Sequence, residues 1–306
     1  MGKHSLLLIG HGIWGSKILE TLVHLGQDVT VVETSAEKRK HLPSAVESLQ
    51  NLPPDSFFEA AFIATPATTH LQVAESLLAI GFKGPIFVEK PLADSTDRAR
   101  RLAALASDKV FVLHTWRYHP GILALRDLIE GKWLGSTTFV ESRRCNWTSP
   151  RRDVDTVWNL APHDLSLYLA LFGRLPSPTA AIVDRAHGHV VGMSAVFEGK
   201  PPFAFTVSNR FSDKIRLLRV HFEQGVACFD AEGPAEIQIA KGSEVSPSPN
   251  HESLPNGGRS ALENQFRACL QFLEGGPAPP TSAEEGIAVV QMIEELRSLA
   301  GLDSPV

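Results

Sequence analysis

Between residues 4 and 118, short apolar runs alternate with longer segments whose apolar positions recur at helical spacing. "HSLLLIG" (4–10) is an apolar run closed by glycine, the pattern of a strand buried on both faces. "WGSKILETLVHLG" follows, with Ile18, Leu22 and Leu25 on one helical face and Gly26 as a stop. "DVTVVE" (28–33) is rich in β-branched residues and predicts a second strand. "AAFIAT" (60–65), "PIFVEK" (85–90) and "KVFVLHT" (109–115) predict three more, with helices over 69–81 and 94–107 between them. Residues 34–58 predict only a short helix. Strands alternating with helices imply a doubly wound parallel sheet.

After Pro120 the pattern changes. A helix over 121–131, the segment "STTFVESRRC" and a helix over 162–173 precede a run of strands, near 180–187, 189–198, 203–211, 215–223, 226–230 and 235–240. In "PFAFTVSNRF", Phe203, Phe205 and Val207 alternate with Ala204, Thr206 and Ser208, the period of a strand with one buried face. Residues 242–258 read as a polar Pro/Gly loop, and two helices, at about 259–274 and 282–300, end the chain. The expected fold is α/β followed by α+β: a Rossmann domain over 1–118 and a second domain over 119–306 on a large, mostly antiparallel sheet. The C-terminal helix is expected to pack back on the first domain.

Composition narrows the function by exclusion. The chain has 306 residues, 43% hydrophobic and 21% charged, with net charge −5, so no nucleic-acid or membrane surface is expected. No apolar run reaches membrane-spanning length, and the first one leads straight into a glycine loop, so no leader is expected. Met1-Gly2 lacks the Ser or Thr at position 6 of a myristoylation start. Cys145, Cys228 and Cys269 are scattered, which predicts a reducing compartment, the cytoplasm, and no zinc site. His187 and His189 share a strand face but have no third ligand nearby.

"GHGIWG" places Gly10, Gly12 and Gly15 between a predicted strand and a predicted helix. The first glycine allows the tight turn, the second lets backbone approach a pyrophosphate, and the third allows close helix–strand packing. Ile13 and Trp14 complete the loop. The second strand ends on Glu33, where an acid binds the ribose hydroxyls of NAD. Its charge repels a 2′-phosphate, so NAD is favoured over NADP, a preference that Lys38 and Arg39 soften.

"GHGIWG", "ATPATTH" (64–70), "VEKPLA" (88–93), "WRYHP" (116–120) and "WNLAPHD" (158–164) together resemble the glucose–fructose oxidoreductase/inositol dehydrogenase (Gfo/Idh/MocA) family over essentially the whole chain. The resemblance implies NAD(P)-dependent chemistry at a secondary alcohol of a sugar, cyclitol or nucleotide sugar. It implies a homodimer or homotetramer formed through the C-terminal sheet. It places Thr65, Pro66 and His70 along the cofactor, Lys90 between nicotinamide ribose and reacting hydroxyl, and Arg117 at the cofactor–substrate junction. His163 becomes the acid/base, and Asn159 stands where most members have aspartate.

The chemistry of these residues is compatible with those roles. Lys90 ends a parallel strand, the edge where open α/β sheets bind ligands, and the Glu89-Lys90-Pro91 setting argues against an ordinary solvated lysine. An imidazole can trade the hydroxyl proton near neutral pH, and an ammonium can stabilise the alkoxide. His163 is expected in the first turn of its helix, where the dipole keeps it neutral; a helix-start histidine bonded to backbone is the plain alternative. Asn159 reads as an N-cap or as an uncharged partner of substrate or His163. Asp164 reads as an acid favoured by the helix N-terminus, or as a substrate contact. Arg143, Arg144, Arg151 and Arg152 read as solvated charge or, with Arg144 foremost, as ligands of an anionic sugar diphosphate. A weakly catalytic NAD-binding sensor on the same scaffold is the alternative from another functional class.

Overall fold

The computed structural model describes residues 2–106, 108–148, 154–233, 236–242, 250–255 and 258–302. In chain order its elements are β1 (Ser5–Ile9), α1 (Ile13–His24), β2 (Asp28–Val32), α2 (Ala36–Arg39), β3 (Ala45–Val46), β4 (Ala60–Ile63), α3 (His70–Ala79), β5 (Ile86–Glu89), α4 (Thr96–Leu105) and β6 (Val110–Leu113). There follow α5 (Pro120–Glu130), β7 (Thr137–Trp147), α6 (Thr156–Phe172), β8 (Ser177–Ala186), β9 (His189–Glu198), β10 (Phe203–Ser208), β11 (Arg210–Phe222), β12 (Gly225–Asp230), β13 (Glu236–Lys241), β14 (Asn250–Pro255), α7 (Ala261–Leu273) and α8 (Ala283–Leu299). The chain divides into two compact units, one of Met1–His114 with Leu262–Val290, the other of Thr115–Ala261 with Gln291–Val306. The division thus falls at His114, just ahead of the expected 118/119 boundary, and passes again through α8.

In the first unit six parallel strands lie in the order β3-β2-β1-β4-β5-β6. Short apolar runs suffice for these strands because both faces are covered. Leu6, Leu8, Val29, Val31 and Phe62 pack with Ile18 and Leu22 of α1 and with Phe266, Cys269 and Leu270 of α7. Phe62 stacks on Phe87 at 4.9 Å between centroids and meets Phe266 edge-on at 5.5 Å. The segment 34–58 holds more than the predicted short helix: β3 and a 3-10 turn at Leu49–Asn51 also form there. A two-residue strand leaves no periodicity to read.

In the second unit the sheet order is β14-β13-β12-β11-β7-β10-β9-β8. Only β7 and β10 pair in parallel; every other neighbouring pair is antiparallel. One face is covered by α6 and carries Val140, Phe203, Phe205 and Val207, all buried. The expected loop over 242–258 contains β14, which pairs antiparallel with β13. As an edge strand with exposed Asn250 to Ser253 it needs no apolar alternation, so its polar sequence reads as loop. Among the described residues no helix is long and apolar enough to cross a membrane.

Helix α6 departs most from expectation. It starts at Thr156 rather than near Pro162, and Asp155 is its N-cap, its Oδ1 accepting from the N–H groups of Val157 (3.0 Å) and Trp158 (3.1 Å). Pro162 lies inside the helix, where it has no N–H for the Trp158 carbonyl. Proline is common in first turns, and that preference pointed to the wrong start. The other carboxylate oxygen of Asp155 pairs with the buried Arg297. Asp155→Ala should therefore lower the unfolding free energy by about 2–4 kcal/mol, roughly 1 from the cap and the rest from the ion pair. Asp155→Asn, which keeps the cap, should lose only the ion-pair share, about 1–3 kcal/mol; urea denaturation with an unchanged m value checks both.

Candidate functional site

The glycine loop meets each requirement laid on it. Gly10 has φ +95°, and a Cβ there would meet the Ala64 carbonyl oxygen at 2.9 Å. A Cβ on Gly15 would strike the Gly10 carbonyl oxygen. A Cβ on Gly12 would meet nothing within 4 Å, so the space that its missing side chain leaves is open. Gly12 precedes α1, whose first turn carries no acid and, among the described residues, no side-chain cap. Twelve residues of helix thus direct their first N–H groups and a positive dipole end at an open cradle, which fits an anionic pyrophosphate. Ile13 begins the helix with 81% exposure, and Trp14 carries the Lys17 ammonium 4.7 Å from its ring centroid.

Glu33 follows β2 and is buried. Its carboxylate accepts from the N–H of His11 at 3.0 Å and of Ser35 at 2.8 Å. Burial opposes its charge, but those two N–H groups and the Lys38 ammonium, 3.7 Å away, outweigh burial and hold its pKa below the ordinary value. Glu33 is therefore anionic at neutral pH and tied to the glycine loop. Lys38 also donates to the His11 carbonyl at 3.2 Å, and Arg39 donates to the carbonyls of Glu33 and Thr34. Both cations named as softening the NAD preference lie around Glu33.

The loops after β4 and β5 carry the next residues. Thr65 accepts from the Thr69 hydroxyl at 2.9 Å, and the Pro66 carbonyl accepts from the same hydroxyl at 2.7 Å. Glu89 and Lys90 end β5 and are buried, and the Lys90 N–H donates to the Glu89 carboxylate at 3.2 Å. His70, expected along the cofactor, is 1% exposed, with Nε2 2.9 Å from the Thr65 carbonyl and Nδ1 3.2 Å from the Leu92 carbonyl. Both nitrogens are engaged by main chain. Burial pushes the His70 pKa down, against the favourable influence of the Thr65, Leu92 and Pro91 carbonyls and of Asp94.

The remaining candidates belong to the second unit. Arg117 lies half-buried on the 3-10 turn Thr115–Tyr118. Asn159 and His163 are four residues apart on α6 and share a face. From Thr156 to Leu169 they alone are not buried. The first-turn argument for a neutral His163 fails, because the residue sits two turns into the helix, beyond the reach of the N-terminal dipole. Asn159 is not the N-cap, since Asp155 is.

Asp164 and Arg144 pair with each other. The Arg144 Nε lies 2.8 Å from Asp164 Oδ2, with the residues 3% and 1% exposed, and its guanidinium stacks 4.9 Å from the Trp116 centroid. Asp164 is thus neither a dipole-favoured surface acid nor a solvent-facing substrate ligand, and Arg144 is not solvated. Arg143 is exposed, on the opposite face of β7 from Arg144, so the two arginines form no cluster; Arg151 and Arg152 lie outside the described residues. No signal in the sequence links Arg144 to Asp164 or Trp116, which come from separate elements. Asp155 did carry a signal, an acid just before an apolar run, overruled by Pro162. Among the described residues no three His, Cys, Asp or Glu side chains gather as a metal site.

The chain is 23% identical over 261 residues to the inositol 2-dehydrogenase of Rhizobium meliloti (strain 1021), covering 79% of this chain and 78% of that one. It is 34% identical over 137 residues, 42% of each chain, to the UDP-N-acetylglucosamine 3-dehydrogenase of Acidithiobacillus ferrooxidans. A solved structure of UDP-N-acetylglucosamine 3-dehydrogenase from Acidithiobacillus ferrooxidans superposes with a TM-score of 0.84 at 22% identity over 98% of both chains. Levoglucosan dehydrogenase in complex with NADH and levoglucosan superposes at 0.83 with 16% identity, again over 98% of both. These two likenesses establish the fold. Residues 5–115 match the GFO_IDH_MocA family, described as an oxidoreductase family with an NAD-binding Rossmann fold. With that match over their glycine loop and strand ends, residues 5–115 form an NAD-binding Rossmann domain of the GFO_IDH_MocA oxidoreductase family.

Proposed function

We propose that the protein moves a hydride between a nicotinamide cofactor and a secondary alcohol or ketone of a sugar, cyclitol or nucleotide-linked sugar. The observation that carries this reading is the pair Asn159 and His163, alone in keeping exposure on a stretch of helix otherwise buried. The imidazole and the amide stand one turn apart on the same face of that helix. The inositol and UDP-N-acetylglucosamine dehydrogenases among the relatives support the substrate class.

Gly10, Gly12, Ile13, Trp14 and Gly15 would hold the pyrophosphate segment and Glu33 the ribose hydroxyls, with Thr65, Pro66, Glu89, Lys90 and Arg117 toward the nicotinamide. Bound NAD supplies the hydride acceptor that no side chain can provide. His163 takes the proton from the reacting hydroxyl, and the Lys90 ammonium stabilises the alkoxide as charge develops. Asn159 contacts substrate or His163 without adding charge. The anionic Glu33 favours NAD over NADP, an effect that Lys38 partly offsets. Ile182 and Val196 stand exposed on the uncovered face of the eight-stranded sheet, which supports a second copy packing there as a homodimer or homotetramer. The three free cysteines fit a reducing compartment, the cytoplasm.

A panel of sugars, inositols and UDP-sugars with NAD and NADP, followed by NADH absorbance, tests the proposal. Turnover of at least one is expected, with Lys90→Met and His163→Gln each lowering kcat by roughly 10²–10⁴-fold. Tight nucleotide binding with no turnover at all would favour the sensor reading, which the amide at position 159 supports.

Two further outcomes follow from the geometry. Gly12→Ala should keep the parent melting temperature yet weaken NADH binding about tenfold through loss of close backbone approach, whereas Gly15→Ala should lose about 1–3 kcal/mol of stability. Fluorescence titration and thermal melts separate the two. Asn159→Asp should move the limb of the pH–rate profile set by His163 to higher pH, because a nearby carboxylate favours imidazolium. A variant profile superimposable on the parent's would exclude electrostatic communication between the two positions.

A further inference from the structure

Resting on the nicotinamide reading above, we propose that His70 is a positioning residue that sets the Lys90 loop against the Thr65 loop. The two loops follow neighbouring parallel strands, β4 and β5, and a single buried ring spans them: Nε2 faces the Thr65 carbonyl at 2.9 Å and Nδ1 the Leu92 carbonyl at 3.2 Å. Leu92 stands two residues past Lys90 and is 1% exposed. A Cβ on Gly286 of α8 would lie 2.9 Å from the Leu92 side chain, so helix packing holds Leu92 on one side while His70 holds its carbonyl on another. Thr65, at the other end of the tie, would lie 3.0 Å from a Cβ on Gly10. The ring therefore links, through one contact on each side, the lysine loop to the glycine loop.

The chemistry of the tie is asymmetric. A neutral imidazole has one N–H, and both of its neighbours are acceptors, so it donates to one carbonyl and merely abuts the other unless it is protonated. The charged groups that face it are the Lys90 loop's own Asp94, whose carboxylate is paired with Arg98 at 2.5 Å, and none from α3 itself in its first turn. Replacing the ring tests which carbonyl matters. An Asn amide nitrogen falls near the Nδ1 position and can keep the Leu92 tie; a Gln amide nitrogen falls near Nε2 and can keep the Thr65 tie.

The test uses the full chain. In amide exchange followed by mass spectrometry, His70→Phe should raise exchange over 64–69 and 90–94 together by about 5- to 10-fold, with β1 and α4 unchanged. With a turned-over sugar, its kcat should fall roughly 10- to 100-fold while KM for the nucleotide stays within about threefold. The variant that keeps the carbonyl to which the neutral ring donates should show parent-like exchange and recover most of kcat; the other should raise exchange, His70→Gln over 90–94 only or His70→Asn over 64–69 only. If the Phe variant does not fold, the Gln and Asn variants decide through that split. Parent-like exchange in a folded Phe variant, or equal losses in all variants without the split, overturns the proposal. The exchange pattern is read with or without substrate, so failure of every sugar to turn over counts against the dehydrogenase reading alone.

Discussion

A parallel sheet ends all its strands at one edge, and the first unit's chemistry depends on how level that edge is. The register pairs Ile9 with both Val32 and Ile63, and Ile63 with Val88. Gly10, Glu33 and Ala64 therefore start their loops in one row, with Glu89 closing β5 beside them. No loop needs length to reach its neighbours, which is why backbone contacts dominate there: Glu33 accepts from the His11 N–H, and Gly10 crowds Ala64. The glycines are needed because the row is tight. A site built this way is rigid by construction, since each loop is bonded to the next one along the edge.

What the sequence made legible was whatever is decided locally. The strand–glycine–helix turn, Glu33 and the strand ends were readable because steric demands within a few residues fix them. The middle and C-terminal helices were readable from apolar spacing, except where Pro162 imitated a helix start. The polar edge strand β14 was not readable, because nothing packs on its outward side chains to impose a pattern. His70 showed its presence in a motif but not its role, which depends on two carbonyls from loops brought together only by the sheet. Arg144 looked like one of four similar arginines; strand alternation separated it from Arg143, and the fold then gave it a partner that twenty residues of chain do not announce.

That partner matters to the helix that carries His163. Asp164 is buried, and a carboxylate there is tolerable because Arg144, whose guanidinium stacks on Trp116, pairs with it. A well-packed apolar pair could be equally stable, so the pair is weak evidence of net stabilisation. Removing one member is different and would leave a bare buried charge, at about 3–5 kcal/mol. The pairing also holds α6 to β7 in one rotational setting, because a buried charge has no second place to go. His163, next to Asp164 in the chain, is presented about 100° around that fixed helix.

The setting of Asn159 follows from the same economy of charge. Asp155 at the start of α6 is paired with Arg297, and Asp164 with Arg144. A third carboxylate at position 159, half-buried on the face of His163, would gain its stabilisation chiefly from imidazolium at His163. That arrangement suits a base that must retain the proton it removes from an alcohol. On the proposed chemistry, an amide would give hydrogen bonds without that Coulomb pull, so imidazolium at His163 would return its proton more readily than beside a carboxylate. Proton delivery to a developing alkoxide is what ketone reduction requires. On the proposed chemistry, the exchange of a carboxylate for an amide therefore tilts the site toward carbonyl reduction while leaving the cofactor cradle and the Lys90 loop unaltered.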